Sequence, residues 1–268
     1  MANEECMRSN WSETSIYLDL IKQNKIILPT TRCLKELPDT FQRRQLLLFR
    51  MNTEISHITN QESKCPFCQE HDTREHILNG CQSETMGNLY TKRHNLVVNI
   101  LVRNILNKLK ISSKKQLTRG QMKQYGNITV YYDRPIATEV SSNKPDVIII
   151  TNNEGIILEV AVSGYTTMNT KRMEKIGKYT PLESDLTSSH KKQFKIYAIV
   201  IGSNGELDVD CFNEWIKVME HYKINKKWSK NILNTIRQKV NAFSDYLFRT
   251  YLSMKQQINM ETNEMAQF

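Results

Sequence analysis

Four residues constrain this chain more than any other feature. They are Cys65, Cys68, His76 and Cys81, spaced C-x2-C-x7-H-x4-C. Thiolates and imidazole are the donors that a tetrahedral zinc ion takes, and a C-x2-C pair lets two thiolates face one ion from a tight turn. Pro66 stiffens that turn. Four protein ligands leave no open position, so the expected zinc is structural. It supplies folding energy to a segment too short to build a core of its own. His71 competes with His76 for the third place. The x4 gap to Cys81 favours His76. Small modules of this kind either touch nucleic acid or brace a neighbouring domain, and the spacing alone does not choose between the two.

The remaining cysteines, Cys6, Cys33 and Cys211, are scattered. Three clustered and three scattered thiols make a metal site plus lone cysteines rather than a disulfide framework, which implies a reducing, intracellular setting. The net charge is +9, from 37 Lys+Arg against 28 Asp+Glu. Such a balance favours a polyanionic partner, either nucleic acid or an anionic membrane surface. No stretch approaches the roughly 20 apolar residues of a membrane helix. The start, MANEECMRSNW, has no apolar secretion signal.

Along the chain, residues 1–60 read as a helical linker segment. Ser12 is a candidate cap, and apolar residues recur at helical spacing over 41–55 beside Arg43, Arg44 and Arg50. Residues 61–83 form the Cys/His module. Within 84–268, residues 84–110 read as a long amphipathic helix. The period then changes to that of strands at 127–132, 146–151 and 155–162. The last two are joined by turn residues Asn152-Asn153-Glu154-Gly155. A helix over 167–179, a buried strand over 194–202 and helices over 211–222 and 229–256 follow. The charged tail after about Gln256 is expected to fray.

The strand pair carries the second chemical signal. Lys144-Pro145-Asp146 enters the first strand, and Glu159 interrupts the apolar run GIILEVAV in the second. Alternate residues of a strand share a face, so a short hairpin can bring Asp146 and Glu159 within reach of one metal ion. Two converging carboxylates in an apolar sheet are costly unless a cation neutralises them. Mg²⁺ or Mn²⁺ suits that oxygen environment. Such an ion activates water and neutralises charge on a phosphate oxygen. The plainer alternative makes Glu159 an edge-strand charge facing solvent. Restriction-like nucleases use P-D followed by D/E-x-K, but here Ala161 stands where the lysine would be. Lys171, Lys175 and Lys178 share one face of the next helix and could replace it, or they could form a solvated basic face.

The order of these motifs, with Arg93-His94-Asn95 after the knuckle and Lys175-x2-Lys178-Tyr179 after Glu159, resembles the C-terminal region of site-specific non-LTR retrotransposons that carry a restriction-like endonuclease. The resemblance covers about residues 60–200, and 41–55 resembles the linker upstream. In that family a zinc knuckle follows the reverse transcriptase, and the endonuclease nicks target DNA to prime reverse transcription. The family lysine is likewise displaced to the following helix. The resemblance implies an α+β fold: a restriction-like core of a small mixed sheet flanked by helices, with a helical N-terminal segment and a CCHC zinc knuckle. It implies that Asp146 and Glu159 hold Mg²⁺ or Mn²⁺, and that Lys175 is catalytic with Lys178 as its rival. Tyr179 would support the same site. Arg93 and His94 would contact DNA or brace the site, and Lys144 would contact nucleic acid. The implied partners are target DNA, element RNA and a reverse transcriptase domain in a longer polyprotein, in the nucleus. No Y-x-D-D polymerase signature occurs; Tyr131-Tyr132-Asp133-Arg134 is not one. The competing expectation is a non-catalytic zinc-containing nucleic-acid-binding protein from a decayed or host-recruited element. A structure-selective, resolvase-like nuclease would share the chemistry and differ in substrate.

Overall fold

Runs of β-branched residues build the centre of the molecule. A computed structural model of the chain describes residues 26–27, 64–73, 75–109, 117–222 and 224–265. The helices expected within 1–60 lie outside these residues, although Ile26–Ile27 forms a short strand, β1. The other strands are β2 (Gln121–Tyr125), β3 (Ile128–Tyr132), β4 (Val147–Ile150), β5 (Glu154–Ser163), β6 (Gln193–Gly202) and β7 (Leu207–Asp208). The helices are α1 (Glu84–Lys108), α2 (Met168–His190), α3 (Val209–His221) and α4 (Lys226–Met265). Among the described residues the strands form one sheet in the order β1-β7-β6-β5-β4-β3-β2. β5 and β6 pair in parallel and are joined through α2; the other pairs are antiparallel.

The two-residue period of the strands divides the core. Ile156, Leu158 and Val160 of β5 cluster with Val97, Val98 and Leu101 of α1, Trp215 of α3 and Ile236 of α4. Ile157, on the opposite face, clusters with Ile148 and Ile150 of β4 and with Tyr179, Leu182 and Leu186 of α2. The result is a mixed α/β arrangement in which helices cover both faces of the sheet. Central strands covered on both sides read as continuous apolar runs, which is why β4, β5 and β6 are legible in the sequence.

Three elements differ from expectation. β2 (QMKQY) alternates between partly buried and exposed residues and has little apolar content. Its pairing with β3 is set by the two-residue connection Gly126-Asn127, where Gly126 takes φ 59°. A tight hairpin needs such a left-handed position, and glycine supplies it at no steric cost. α2 continues eleven residues past 179 and through Pro181. Leu182 and Leu186 are buried against the sheet beyond the proline, and this packing outweighs the lost helix hydrogen bond. α4 does not fray at 256 but runs to Met265.

Gly155 pairs with Ile150 across the β4–β5 connection and lies under the ring of Phe194. A Cβ there would fall 2.1 Å from Phe194 Cε1. Gly155→Ala should therefore destabilise the fold by about 1–3 kcal/mol through overpacking. Urea denaturation checks this, and Gly87→Ala, where an added Cβ meets nothing within 4 Å, should be no worse than the parent.

Candidate metal centre and carboxylate site

The Cys/His segment folds as its spacing suggests. Gln69 takes φ 62°, and the Cys65 N–H donates to Glu70 O at 2.8 Å, closing the knuckle. His76 opens a π turn, His76–Gly80, whose closing hydrogen bond runs from Cys81 N–H to His76 O at 2.8 Å. The x4 gap thus spans one i→i+5 turn, which returns Cys81 to the side of His76. The donor atoms of Cys65, Cys68, His76 and Cys81 all lie within 4.8 Å of one another. Cys65 Sγ is 3.8 Å from Cys81 Sγ, and Cys68 Sγ is 3.3 Å from His76 Nε2. This is close enough to bind a metal ion, and three sulfurs with one imidazole are consistent with zinc. Burial pushes the Cys81 thiol up to about 11, so a cation is needed to hold it as thiolate near neutral pH. His71 is exposed, bridges to Lys64 and stands outside the set.

The module is fastened to the helices. Asp72 accepts hydrogen bonds from Tyr251 Oη at 2.7 Å and from Lys255 Nζ. Phe67 meets the Tyr251 ring edge-on at 5.6 Å. These contacts explain why α4 stays ordered beyond 250. Tyr90 Oη donates to Ile77 O at 2.7 Å.

The second group forms where β4 begins. Val147 pairs with Leu158, so one step further Asp146 lies opposite Glu159. Both belong, by parity, to the face that α2 covers. Asp146 is 9% exposed and Glu159 1%, and β5 is a central strand, so Glu159 is not a solvent-facing edge charge. Glu159 Oε1 accepts from the Asp146 N–H at 2.8 Å, and Oε2 accepts from Lys175 Nζ at 2.9 Å. Asp146 Oδ2 accepts from the Val160 N–H at 2.8 Å and meets His94 Nε2 at 3.1 Å. Burial, and then the charge of Asp146, raise the Glu159 carboxyl above the usual range, with Lys175 only partly opposing. Burial works against charge on Lys175 and on His94, but the carboxylates outweigh it and lift both.

Of the three helix lysines, Lys175 meets the carboxylates. Lys171 pairs with Glu174 at 2.7 Å. Lys178 Nζ lies 4.8 Å over the Tyr179 ring. Tyr179 is buried, donates to Lys144 O at 3.0 Å and is held protonated by burial and then by Glu159. Lys144 points its half-exposed side chain towards Asp133, 3.3 Å away. Arg93 corrects the expectation of a DNA contact. Its guanidinium is 2% exposed and donates to Leu78 O, Asn79 Oδ1 and Ser244 Oγ at 2.8–3.1 Å. A group so enclosed meets no phosphate without opening the core.

Asp133 was not anticipated. Its N–H donates to Asp146 O at 2.8 Å, and its carboxylate pairs with Arg119 as well as Lys144. Those two cations hold it below the usual range despite burial. It adopts a left-handed φ of 45°, a conformation that Asp tolerates better than most residues, and nothing in YYDR signals that role. No family model matches the chain, and no curated protein matches it. Among the described residues, no helix is long and apolar enough to cross a membrane.

The metal centre makes a direct prediction. Native mass spectrometry should read one zinc per chain, retained in His71→Ala and lost in Cys65→Ser/Cys81→Ser. Since metal binding is folding energy for such modules, the double variant should also melt lower. Equal melting temperatures would contradict a structural role.

Proposed function

We propose that this protein is a Mg²⁺- or Mn²⁺-dependent DNA endonuclease with a restriction-like core, of the retrotransposon kind that its motif order resembles. One observation carries the reading: Asp146 and Glu159 of one hairpin and Lys175 of α2 meet on one face of the sheet. Ala161, on the same face of β5 two residues after Glu159, leaves the lysine position of D/E-x-K vacant. Lys175 approaches from α2 instead.

Two neighbouring buried carboxylates, one of them raised by burial and then by the charge of the other, suit a divalent cation, whose charge would relieve both. Asp146 and Glu159 would hold it. When bound, the ion supplies an activated water and charge neutralisation at a phosphate oxygen. The protein's own groups do the rest. Lys175 presents an ammonium that can pass from Glu159 to the developing phosphorane charge. Val160 N–H and His94 fix the Asp146 carboxylate. Tyr179 holds the Lys144 carbonyl and so the turn into Asp146. Half-exposed Lys144 and the +9 balance favour a phosphate backbone as partner. Element RNA, a reverse transcriptase domain in a longer polyprotein and a nuclear location belong to the same proposal, on the resemblance alone.

Purified protein with Mg²⁺ should nick supercoiled plasmid. Asp146→Asn and Lys175→Met should each cut the rate by about 10²-fold or more, and Lys178→Met by much less. Salt-sensitive DNA binding without metal-stimulated nicking would instead identify a binding module.

A further inference from the structure

We infer that the Cys/His metal module positions the carboxylate site, through the consecutive residues Arg93 and His94 on α1. As a statement about catalysis this rests on the nuclease reading above; as a statement about Asp146 it rests on contacts alone.

The link starts at the metal ligands. Leu78 and Asn79 lie between His76 and Cys81, inside the π turn that carries two of the four donors. Arg93 grips that turn, with Nη2 donating to Leu78 O at 2.8 Å and to Asn79 Oδ1 at 3.1 Å. Its Nη1 donates to Ser244 Oγ of α4 at 2.9 Å. Among the described residues, Arg93 Nε has no partner. Burying a guanidinium with one donor unsatisfied is costly, so the fixed position of this side chain is maintained against a penalty. The chain makes a second connection at the same place. Cys81 leads within two residues to Ser83, whose Oγ caps α1 at the Met86 N–H. The module therefore sets both where α1 begins and how it is rolled.

The next residue transmits that roll. Successive residues on a helix differ by about 100° in direction, so Arg93 and His94 address different neighbours from one rigid segment. Arg93 faces the metal module, and His94 reaches Asp146 Oδ2. Among the described residues that oxygen has two donors, the Val160 N–H from the sheet and His94 from α1. If α1 rolls when its grip on the π turn is lost, the His94 contact opens and Asp146 keeps only the strand donor. A second brace acts in parallel: Asn79 Nδ2 reaches Ser203 Oγ at 3.3 Å, just past the end of β6. His94 and Arg93 are positioning residues in this scheme, and neither touches the reacting atoms.

The measurement is hydrogen exchange at the Val160 amide in the full zinc-loaded chain, compared with Arg93→Met, Arg93→Lys, His94→Ala, His94→Gln and the zinc-stripped protein. Zinc removal and Arg93→Met should each speed exchange at Val160 roughly tenfold. His94→Ala should do the same while residues 64–81 stay protected. His94→Gln, which keeps an N–H donor, should restore part of the protection. In plasmid nicking the His94 and Arg93 variants should lower kcat about tenfold with KM unchanged. Should Arg93→Met or the stripped protein unfold, Arg93→Lys, which keeps the charge but loses the planar fork, carries the comparison. Parental protection at Val160 in both the Arg93 variants and the zinc-stripped chain would overturn the link. Coupled exchange in a protein that never nicks would uphold the link and overturn the nuclease reading.

Discussion

A carboxylate 1% exposed in the middle of an apolar sheet is the constraint on which the rest of this structure depends. Glu159 sits where burial and its neighbour Asp146 both oppose its charge. An isolated charge in that position would neutralise itself or unfold its surroundings. What holds it is a set of partners drawn from separate elements: the Asp146 N–H from the entrance to β4 and Lys175 from α2. α2 must therefore lie across β5 and β6 with its basic face turned inward at one position. The parallel β5–α2–β6 crossover delivers that placement, since a helix joining neighbouring parallel strands packs back over the same face of the sheet.

The metal module packs on α1 and α4, the helices that cover the other face of the sheet. α1 packs Val97, Val98 and Leu101 onto the sheet, while its first turns carry Arg93 and His94 towards the module and the carboxylates. α4 closes the arrangement: its Tyr251 and Lys255 donate to Asp72 of the module, and its Ser244 accepts from Arg93 of α1. A knuckle of under twenty residues has too few apolar groups to order itself. Four donors close enough to bind a metal ion lie on one side, and a buried cluster with Leu247, Phe248 and Tyr251 packs the other. The two sites are accordingly parts of one folded unit and share one helix.

Much of the fold can be read from residue pattern because its central strands are covered on both faces. β4, β5 and β6 are unbroken apolar runs, and a run of that kind has few alternatives. β2 escaped because a half-exposed strand such as QMKQY has too little apolar content to reveal its alternation and is specified by its hairpin partner. The ends of α2 and α4 escaped for a related reason. Pro181 and the charged tail are local stop signals, and distant packing by Leu182, Leu186 and Tyr251 overrides them.

By itself the sequence determined which four donors come together, since C-x2-C and H-x4-C place them through backbone turns that need no distant partner. It also allowed Asp146 and Glu159 to face each other, because a short hairpin sets its register locally; the burial of Glu159 decided against a solvent-facing charge. Which lysine joins them was decided only by tertiary structure. Lys171, Lys175 and Lys178 share one helical face and are equivalent in one dimension; the crossing of α2 over β5 selects Lys175. The inward turn of Arg93 and the reach of His94 across 52 residues to Asp146 were decided in the same way. Contacts between distant segments depend on how whole elements pack, and no spacing within either segment encodes them.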